Sequence, residues 1–249
     1  MPNDKGAIII SGAARGIGAA IARVLAADGY PVVINYASRT DAAQKVVADI
    51  KSAGGQAIAV KADVSSRQEV DAMVAVALKT FGRIDGAVNN ACLPPEAKDF
   101  SVLKWEDIQK YIDVQIKGTF NLSQAVLGHF TPQGGCIVNI ASIVADNVPP
   151  ASGMPYNLVK SALISLTRTM AVELAAKKVR VNCVSPGVTM TDMIADFPEK
   201  VKLVAKMKTP LQRLAQPEDV AGAVAFLFSD RALFLTGETI RVNGGSSMV

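Results

Sequence analysis

Histidine is nearly absent from this chain of 249 residues, and aromatic side chains are scarce. His129 is the only histidine, and Phe, Tyr and Trp together make up 5% of the residues. A single imidazole does not suit a histidine metal cluster or a Ser-His-Asp triad. We therefore expect no metal, and redox chemistry would need an organic cofactor.

Cysteine and long apolar runs are also scarce. Cys92, Cys136 and Cys183 are far apart, odd in number and without a C-x-x-C pair, which favours a reducing compartment over a disulfide scaffold. The apolar run at residues 7–10 is too short for a signal core or a membrane span. We expect a cytoplasmic protein without a membrane partner.

Charge of one sign is not concentrated anywhere in the chain. Lys and Arg number 26 against 22 Asp and Glu, a net charge of +4 without a basic run, so a nucleic-acid partner is not expected. No repeat or Pro/Ser-rich linker divides the chain, and Pro149-Pro150 is interpreted as a local loop. With half of its residues apolar, the chain is predicted to form one domain over residues 1–249.

Short apolar runs rich in β-branched residues alternate with longer segments that repeat apolar residues every three or four positions. The first pattern predicts strands and the second predicts helices. Predicted strands cover residues 7–11, 32–36, 57–61, 84–89, 136–141, 180–185 and 238–242. Predicted helices cover residues 17–27, 41–53, 68–81, 104–130, 155–176 and 217–228. This order predicts an α/β domain of the Rossmann type, a doubly wound parallel seven-stranded sheet with helices on both faces.

A glycine-rich turn, Gly12-x-x-x-Gly16-x-Gly18, follows the first predicted strand and leads into a helix. Glycines at this place let backbone amides approach a pyrophosphate at the helix N-terminus. The spacing differs from G-x-G-x-x-G, and tight packing of strand against helix is the alternative explanation. The turn therefore predicts a dinucleotide site, and no Gly-Lys-Ser/Thr follows to indicate a Walker site.

Tyr156 and Lys160 lie four residues apart in the predicted helix 155–176, downstream of Ser142. Residues four apart share a helix face, so the Lys160 ammonium should lie beside the Tyr156 phenol. A nearby positive charge favours phenolate, and we predict a lowered pKa for Tyr156 and proton exchange with a carbonyl oxygen. The pair also occurs by chance on helices, so the prediction depends on its context.

Several separate motifs make the chain resemble the short-chain dehydrogenase/reductase family, in its compact one-domain form, over nearly its full length. They are the glycine-rich turn, Asp63-Val64, Asn89-Asn90-Ala91, Tyr156-x-x-x-Lys160, Pro186-Gly187-x-x-x-Thr191 and the final stretch from Thr236 to Gly245. Within the family, the chain looks most like the 3-oxoacyl-[acyl-carrier-protein] reductases. The resemblance implies an oxidoreductase that reduces a ketone to a secondary alcohol.

The resemblance also implies residue roles. Ser142 would hydrogen-bond the substrate carbonyl oxygen, Tyr156 would protonate it, and Lys160 would hold the ribose hydroxyls of a nicotinamide cofactor. Together with the residues discussed below for cofactor choice, the expected cofactor-binding set is Gly12, Arg15, Gly16, Ile17, Gly18, Ser38, Arg39, Asp63, Val64, Asn90, Ala91, Tyr156, Lys160, Pro186, Gly187, Val188 and Thr191.

Two positions depart from the family's pattern. Gln115 stands where many members have an asparagine that organises a proton-relay water; it keeps the amide but changes its reach, and we include it among the catalytic residues. Cys92 replaces the glycine that usually closes Asn-Asn-Ala-Gly. We interpret Cys92 as a packed small side chain rather than a reactive thiol.

The stretch after the second predicted strand indicates which cofactor is used. It carries Ser38 and Arg39 and no acidic residue of the kind that binds an NAD ribose. Arg15, Arg39 and Ser38 would suit a 2′-phosphate, which predicts NADP(H) and reduction as the physiological direction. The alternative is that both arginines are solvated surface residues.

The substrate and the assembly are predicted more coarsely. Residues 189–210, which carry four lysines, are expected to form a substrate lid. A 3-oxoacyl thioester is the first substrate class; the alternatives are a small or polycyclic ketone, an NAD-linked alcohol or polyol dehydrogenase, a dehydratase or epimerase, and a non-catalytic nucleotide-binding regulator. The helices 104–130 and 155–176 and the segment 242–249 resemble the family's oligomer contacts and imply a homotetramer.

Overall fold

A parallel seven-stranded sheet forms the centre of the protein. The structure is a computed structural model and describes residues 5–146, 151–195 and 197–248. Its strands are β1 (Ala7–Ile10), β2 (Val32–Tyr36), β3 (Ala57–Lys61), β4 (Ile84–Asn89), β5 (Gly135–Ile140), β6 (Val179–Pro186) and β7 (Thr239–Val242). Their order in the sheet is β3-β2-β1-β4-β5-β6-β7. The predicted fold and all seven predicted strands are confirmed.

Helices cover both faces of the sheet. They are α1 (Gly16–Ala27), α2 (Thr40–Ser52), α3 (Arg67–Phe81), α4 (Trp105–Tyr111), α5 (Gly118–Leu127), α6 (Met154–Leu174), α7 (Asp192–Ala195), α8 (Glu199–Met207) and α9 (Pro217–Phe228). Ile8 and Ile10 of β1 enter one core with α1, α2 and α9, whereas Ile9 enters another with α3 and α5. Because successive strand residues face opposite sides, both faces must be apolar, which explains the unbroken runs in the sequence.

The predicted helix 104–130 is interrupted. Between α4 and α5 lies a π-helical segment, Ile112–Lys117, and α5 ends at Leu127. A π segment adds a residue to one helical turn and is frequent at functional sites. The apolar repeat on either side still reads as helical, so periodicity alone predicts one continuous helix.

The strand order reverses between β1 and β4. Chain connections lead from β1 towards β2 and from β4 towards β5, on opposite sides of this point. In open α/β sheets the crevice beyond the carboxyl ends of such strands is the usual ligand site. The predicted loop at Pro149-Pro150 lies outside the described residues. No helix in the described ranges combines the length and the apolar character needed to cross a membrane.

Candidate active site

A cleft of about 620 Å³ opens at the carboxyl ends of the strands. It is lined by every residue predicted to bind the cofactor, from the glycine-rich turn to Thr191, and by Ser142. The motifs that are separated along the chain therefore meet at one place. Of the predicted site residues, Gln115 does not line the cleft, although its neighbour Val114 does.

The glycine-rich turn has a backbone shape that requires glycine. Gly12 and Gly16 have φ angles of 62° and 54°, in a region that side-chain-bearing residues rarely adopt. A Cβ on Gly12 would lie 2.9 Å from Ala91 Cα, and one on Gly18 would lie 2.6 Å from the Gly12 carbonyl oxygen. Helix α1 begins at Gly16 without an acidic residue in its first turn. The turn therefore fits an anionic pyrophosphate at a helix N-terminus.

Side chains from neighbouring strands hold this turn in place. Asn90 Nδ2 donates to the carbonyl oxygens of Ser11 (2.9 Å) and Gly12 (3.0 Å). Ser11 Oγ accepts from the backbone N–H groups of Asn90 (2.9 Å) and Ala91 (3.0 Å), and Asn35 Oδ1 accepts from the Gly12 N–H at 3.3 Å. Ser11 and Asn35 were not among the residues predicted from the sequence to support the site. The sequence pattern that could have indicated them is a polar residue near the carboxyl end of an otherwise apolar strand.

Ser142, Tyr156 and Lys160 meet in the cleft. Ser142 follows β5, and Tyr156 and Lys160 lie on α6. Lys160 is 2% exposed, and its Nζ donates to the Ile140 carbonyl oxygen at 2.8 Å. The same Nζ lies 5.5 Å from the centroid of the Tyr156 ring. The predicted position of Lys160 beside Tyr156 is confirmed.

The predicted acidity of Tyr156 is wrong for the protein as the structure has it. Burial raises the pKa of Tyr156, a negative charge on Cys92 would raise this pKa further, and a hydrogen bond with the Ser142 hydroxyl lowers it. Burial also lowers the pKa of Lys160. Desolvation disfavours the phenolate of Tyr156 and the ammonium of Lys160, so it raises the first pKa and lowers the second. Tyr156 is therefore a neutral phenol at neutral pH, the form that can donate a proton.

Two predicted residues at the nucleotide end have partners that the sequence did not indicate. Arg15 Nη1 lies 3.2 Å from Asp192 Oδ2 on α7. Asp63 Oδ1 accepts from the Ser65 backbone N–H at 2.9 Å and from its hydroxyl at 2.8 Å. Ser38 and Arg39 are exposed and line the same cleft. Both predicted cationic residues thus line the cleft, and Arg15 already forms an ion pair with a carboxylate.

Gln115 lies behind the wall of the cleft. Its side chain is 2% exposed, and its Nε2 has no hydrogen-bond partner among the described residues. It belongs to the π segment, which packs against α6, the helix of Tyr156 and Lys160. A role for Gln115 would therefore act through other groups, and it stays a prediction.

The three cysteines have different surroundings. Cys136 and Cys183 are buried, and burial raises the pKa of each thiol to about 11. Cys92 is partly exposed and lines the cleft. Its charge, when ionised, would raise the pKa of both Tyr156 and Lys160. The thiol at this position therefore lies in the cleft near both Tyr156 and Lys160.

A chain of buried polar side chains, which the sequence patterns did not predict, joins four elements around the sheet. Asn89 Nδ2 donates to Asn139 Oδ1 (2.8 Å) and Ser123 Oγ (3.0 Å), and Asn139 Nδ2 donates to Thr167 Oγ1 at 2.8 Å. This chain joins β4 and β5 to α5 and α6. Paired polar groups in a core favour one arrangement of the elements around them.

Comparison with known proteins agrees with the fold and the cleft. A family model described as Enoyl-(Acyl carrier protein) reductase matches residues 12–247. A short-chain dehydrogenase/reductase from Serratia marcescens is 33% identical with a TM-score of 0.92, with both chains covered completely. The chain therefore belongs to the short-chain dehydrogenase/reductase family. It is an oxidoreductase of that family, which uses a nucleotide cofactor.

Relatives with and without a named activity have similar sequence identity to this chain. An uncharacterized oxidoreductase of Methylorubrum extorquens is 44% identical over 95% of this chain and 96% of its own. A 3-oxoacyl-[acyl-carrier-protein] reductase of Staphylococcus epidermidis is 39% identical over 96% of this chain and 98% of its own. A short-chain dehydrogenase from Burkholderia cenocepacia, solved in complex with NADP, is 34% identical with a TM-score of 0.89, covering 97% of both chains.

Proposed function

We propose that the protein uses NADPH to reduce the ketone of a 3-oxoacyl thioester to a secondary alcohol. The observation that carries this proposal is the meeting of Ser142, Tyr156 and Lys160 in a cleft that also holds Arg15 and Arg39. The first group suits carbonyl chemistry, and the second suits an extra phosphate. The relatives named as 3-oxoacyl-[acyl-carrier-protein] reductases support the choice of substrate.

Each central residue has a role that follows from its state in the structure. The Ser142 hydroxyl hydrogen-bonds the carbonyl oxygen, and the neutral Tyr156 phenol gives that oxygen its proton as negative charge develops. Lys160 donates one N–H to the Ile140 carbonyl oxygen, which leaves two donors for ribose hydroxyls. A bound nicotinamide would supply the hydride. Gln115 acts as a positioning residue behind this group.

NADPH is proposed over NADH on grounds of charge. Arg15 and Arg39 are cations at the cleft, and Ser38 adds a hydroxyl. Charge-assisted hydrogen bonds from guanidinium groups to phosphate are stronger than neutral ones. The solved relative in complex with NADP supports this choice.

A free apolar ketone is the second candidate substrate. Leu93, Pro94, Pro95 and Phe197 line the cleft together with Cys92. This apolar wall suits an acyl chain, and it suits a ring ketone equally well. The two substrate classes differ in whether a thioester and its carrier are needed.

We also propose a domain organisation, a substrate lid and an oligomeric state for the protein. The chain is one domain in which residues 189–210, containing α7 and α8, form a lid over the substrate. Leu203 and Met207 of α8 are 56% and 76% exposed, as expected of a segment that closes on a ligand. The protein acts in the cytoplasm as a homotetramer.

The test follows oxidation of NADPH and NADH with panels of 3-oxoacyl thioesters and free ketones. Tyr156→Phe removes the proton donor and is expected to lower kcat/KM by about 10²- to 10⁴-fold, the usual contribution of general acid catalysis. Tyr30→Phe is the matched control, because the Tyr30 hydroxyl donates to the Phe228 carbonyl oxygen away from the cleft. Full activity of Tyr156→Phe would exclude the proposed chemistry, and a preference for NADH would exclude the cofactor.

A further inference from the structure

The ion pair between Arg15 and Asp192 joins two parts of the cleft that are 177 residues apart. Arg15 lies within the glycine-rich turn, directly before the first residue of α1, and Asp192 is the first residue of α7. Both line the cleft. The single contact of 3.2 Å is between side chains that are 43% and 63% exposed. Solvent and a dissolved phosphate can therefore reach both partners.

The residue before Asp192 packs against the glycine-rich turn. Its neighbour Thr191 packs against Gly16, where a Cβ would lie 3.3 Å from the Thr191 methyl. The start of α7 therefore lies next to the turn that carries Arg15. A carboxylate next to a cation lowers the attraction of that cation for any further anion.

Arg39 provides an internal comparison. It is exposed, lines the same cleft and makes no ion pair among the described residues. Arg15 is thus partly neutralised by Asp192, whereas Arg39 keeps its full charge for a ligand. The two predicted phosphate-binding cations are not equivalent in this chain.

We infer that Asp192 is a specificity-determining residue that competes with the 2′-phosphate of the cofactor for Arg15. Asp192 thereby weakens the preference of this protein for NADP(H) over NAD(H). The inference rests on the proposed function, because it assumes that Arg15 binds the 2′-phosphate. Removing the carboxylate leaves Arg15 free and takes away a negative charge that repels the phosphate.

The test is calorimetric titration of Asp192→Asn with adenosine 2′,5′-bisphosphate and with 5′-AMP, which differ in the 2′-phosphate alone. Binding of the bisphosphate should become tighter by about two- to five-fold, the range for loss of an exposed ion pair. Binding of 5′-AMP should stay unchanged. In an Arg15→Met background, the same substitution should have a smaller effect, because no guanidinium is released.

Asp71→Asn is the matched control. Asp71 is 52% exposed on its side chain and pairs with Arg67 on α3, away from the cleft, so the net charge changes equally. Equal gains for both nucleotides, or for Asp71→Asn, would contradict the inference. Unchanged or weaker binding of the bisphosphate to Asp192→Asn would also contradict it. If the unmodified protein itself binds the two nucleotides equally, the NADP(H) proposal fails instead.

Discussion

Gln115 has a buried amide nitrogen without a hydrogen-bond partner among the described residues. Such a group lowers stability by about 1–3 kcal/mol, so a purely structural role does not explain it. We predict that Gln115→Met, which keeps the length of the side chain, leaves the free energy of unfolding unchanged or raises it by about 1 kcal/mol. We also predict a lower kcat, because Gln115 lies in the π segment that packs against α6, the helix of Tyr156 and Lys160.

Urea denaturation and steady-state kinetics measure the two quantities separately. Gln115→Asn is the control that keeps the amide and removes one methylene, and it should retain more activity than Gln115→Met at lower stability. A stable protein does not by itself support the proposal. Loss of stability in Gln115→Met with normal kcat would show that the amide serves packing.

The charge states of the central residues illustrate what sequence patterns predict at the scale of single side chains. The i, i+4 spacing correctly predicted that Lys160 lies beside Tyr156. It did not predict the raised pKa of Tyr156, because burial, the main cause of the rise, depends on segments far from α6 in the chain. Spacing determines which neighbours share a helix face, whereas desolvation depends on the whole surroundings.

Strand β7 and the turn after β5 are joined by an ion pair between two elements. Arg241 Nε and Nη2 donate to the two carboxylate oxygens of Asp146 at 2.8 and 3.1 Å. Asp146 is 10% exposed on its side chain and ends the short 3₁₀ turn that begins after Ser142. The pair therefore holds the Ser142 turn against the last strand of the sheet.

Arg241→Met should destabilise the protein by about 1–3 kcal/mol, because the Asp146 carboxylate loses its charged partner in a largely buried place. The double variant Asp146→Leu/Arg241→Met should be more stable than Arg241→Met alone, since no buried charge remains unpaired. Urea denaturation of the single and double variants checks both expectations. Equal stability of the single variant and the unmodified protein would mean that hydration of the Asp146 carboxylate fully compensates for the loss of Arg241.

Exposed apolar residues on α5 and α6 indicate where two copies of the chain could pack against each other. Phe120 on α5 and Val172 on α6 are 51% and 81% exposed. Exposed apolar side chains on helices that resemble the family's dimer contact favour burial against a second copy. We predict that the double variant Phe120→Glu/Val172→Glu halves the mass of the proposed homotetramer, because two charges enter an apolar contact.

Light scattering after size-exclusion chromatography measures the mass, and circular dichroism checks that the variant is folded. Leu203→Glu is the control, because Leu203 is 56% exposed on α8 in the proposed lid. The mass of this control should equal that of the unmodified protein. A folded double variant of unchanged mass would exclude α5 and α6 as the contact.

The amino-acid sequence alone predicted the seven strands, the doubly wound sheet and the glycine-rich turn. These depend on local patterns: runs of apolar residues that must be buried on both sides, and glycines whose φ angles other residues avoid. The tertiary structure decided the π segment at Gln115, the neutral state of Tyr156 and the ion pair of Arg15 with Asp192. Each of these depends on distances and burial created by segments far apart in the chain, which no local pattern contains.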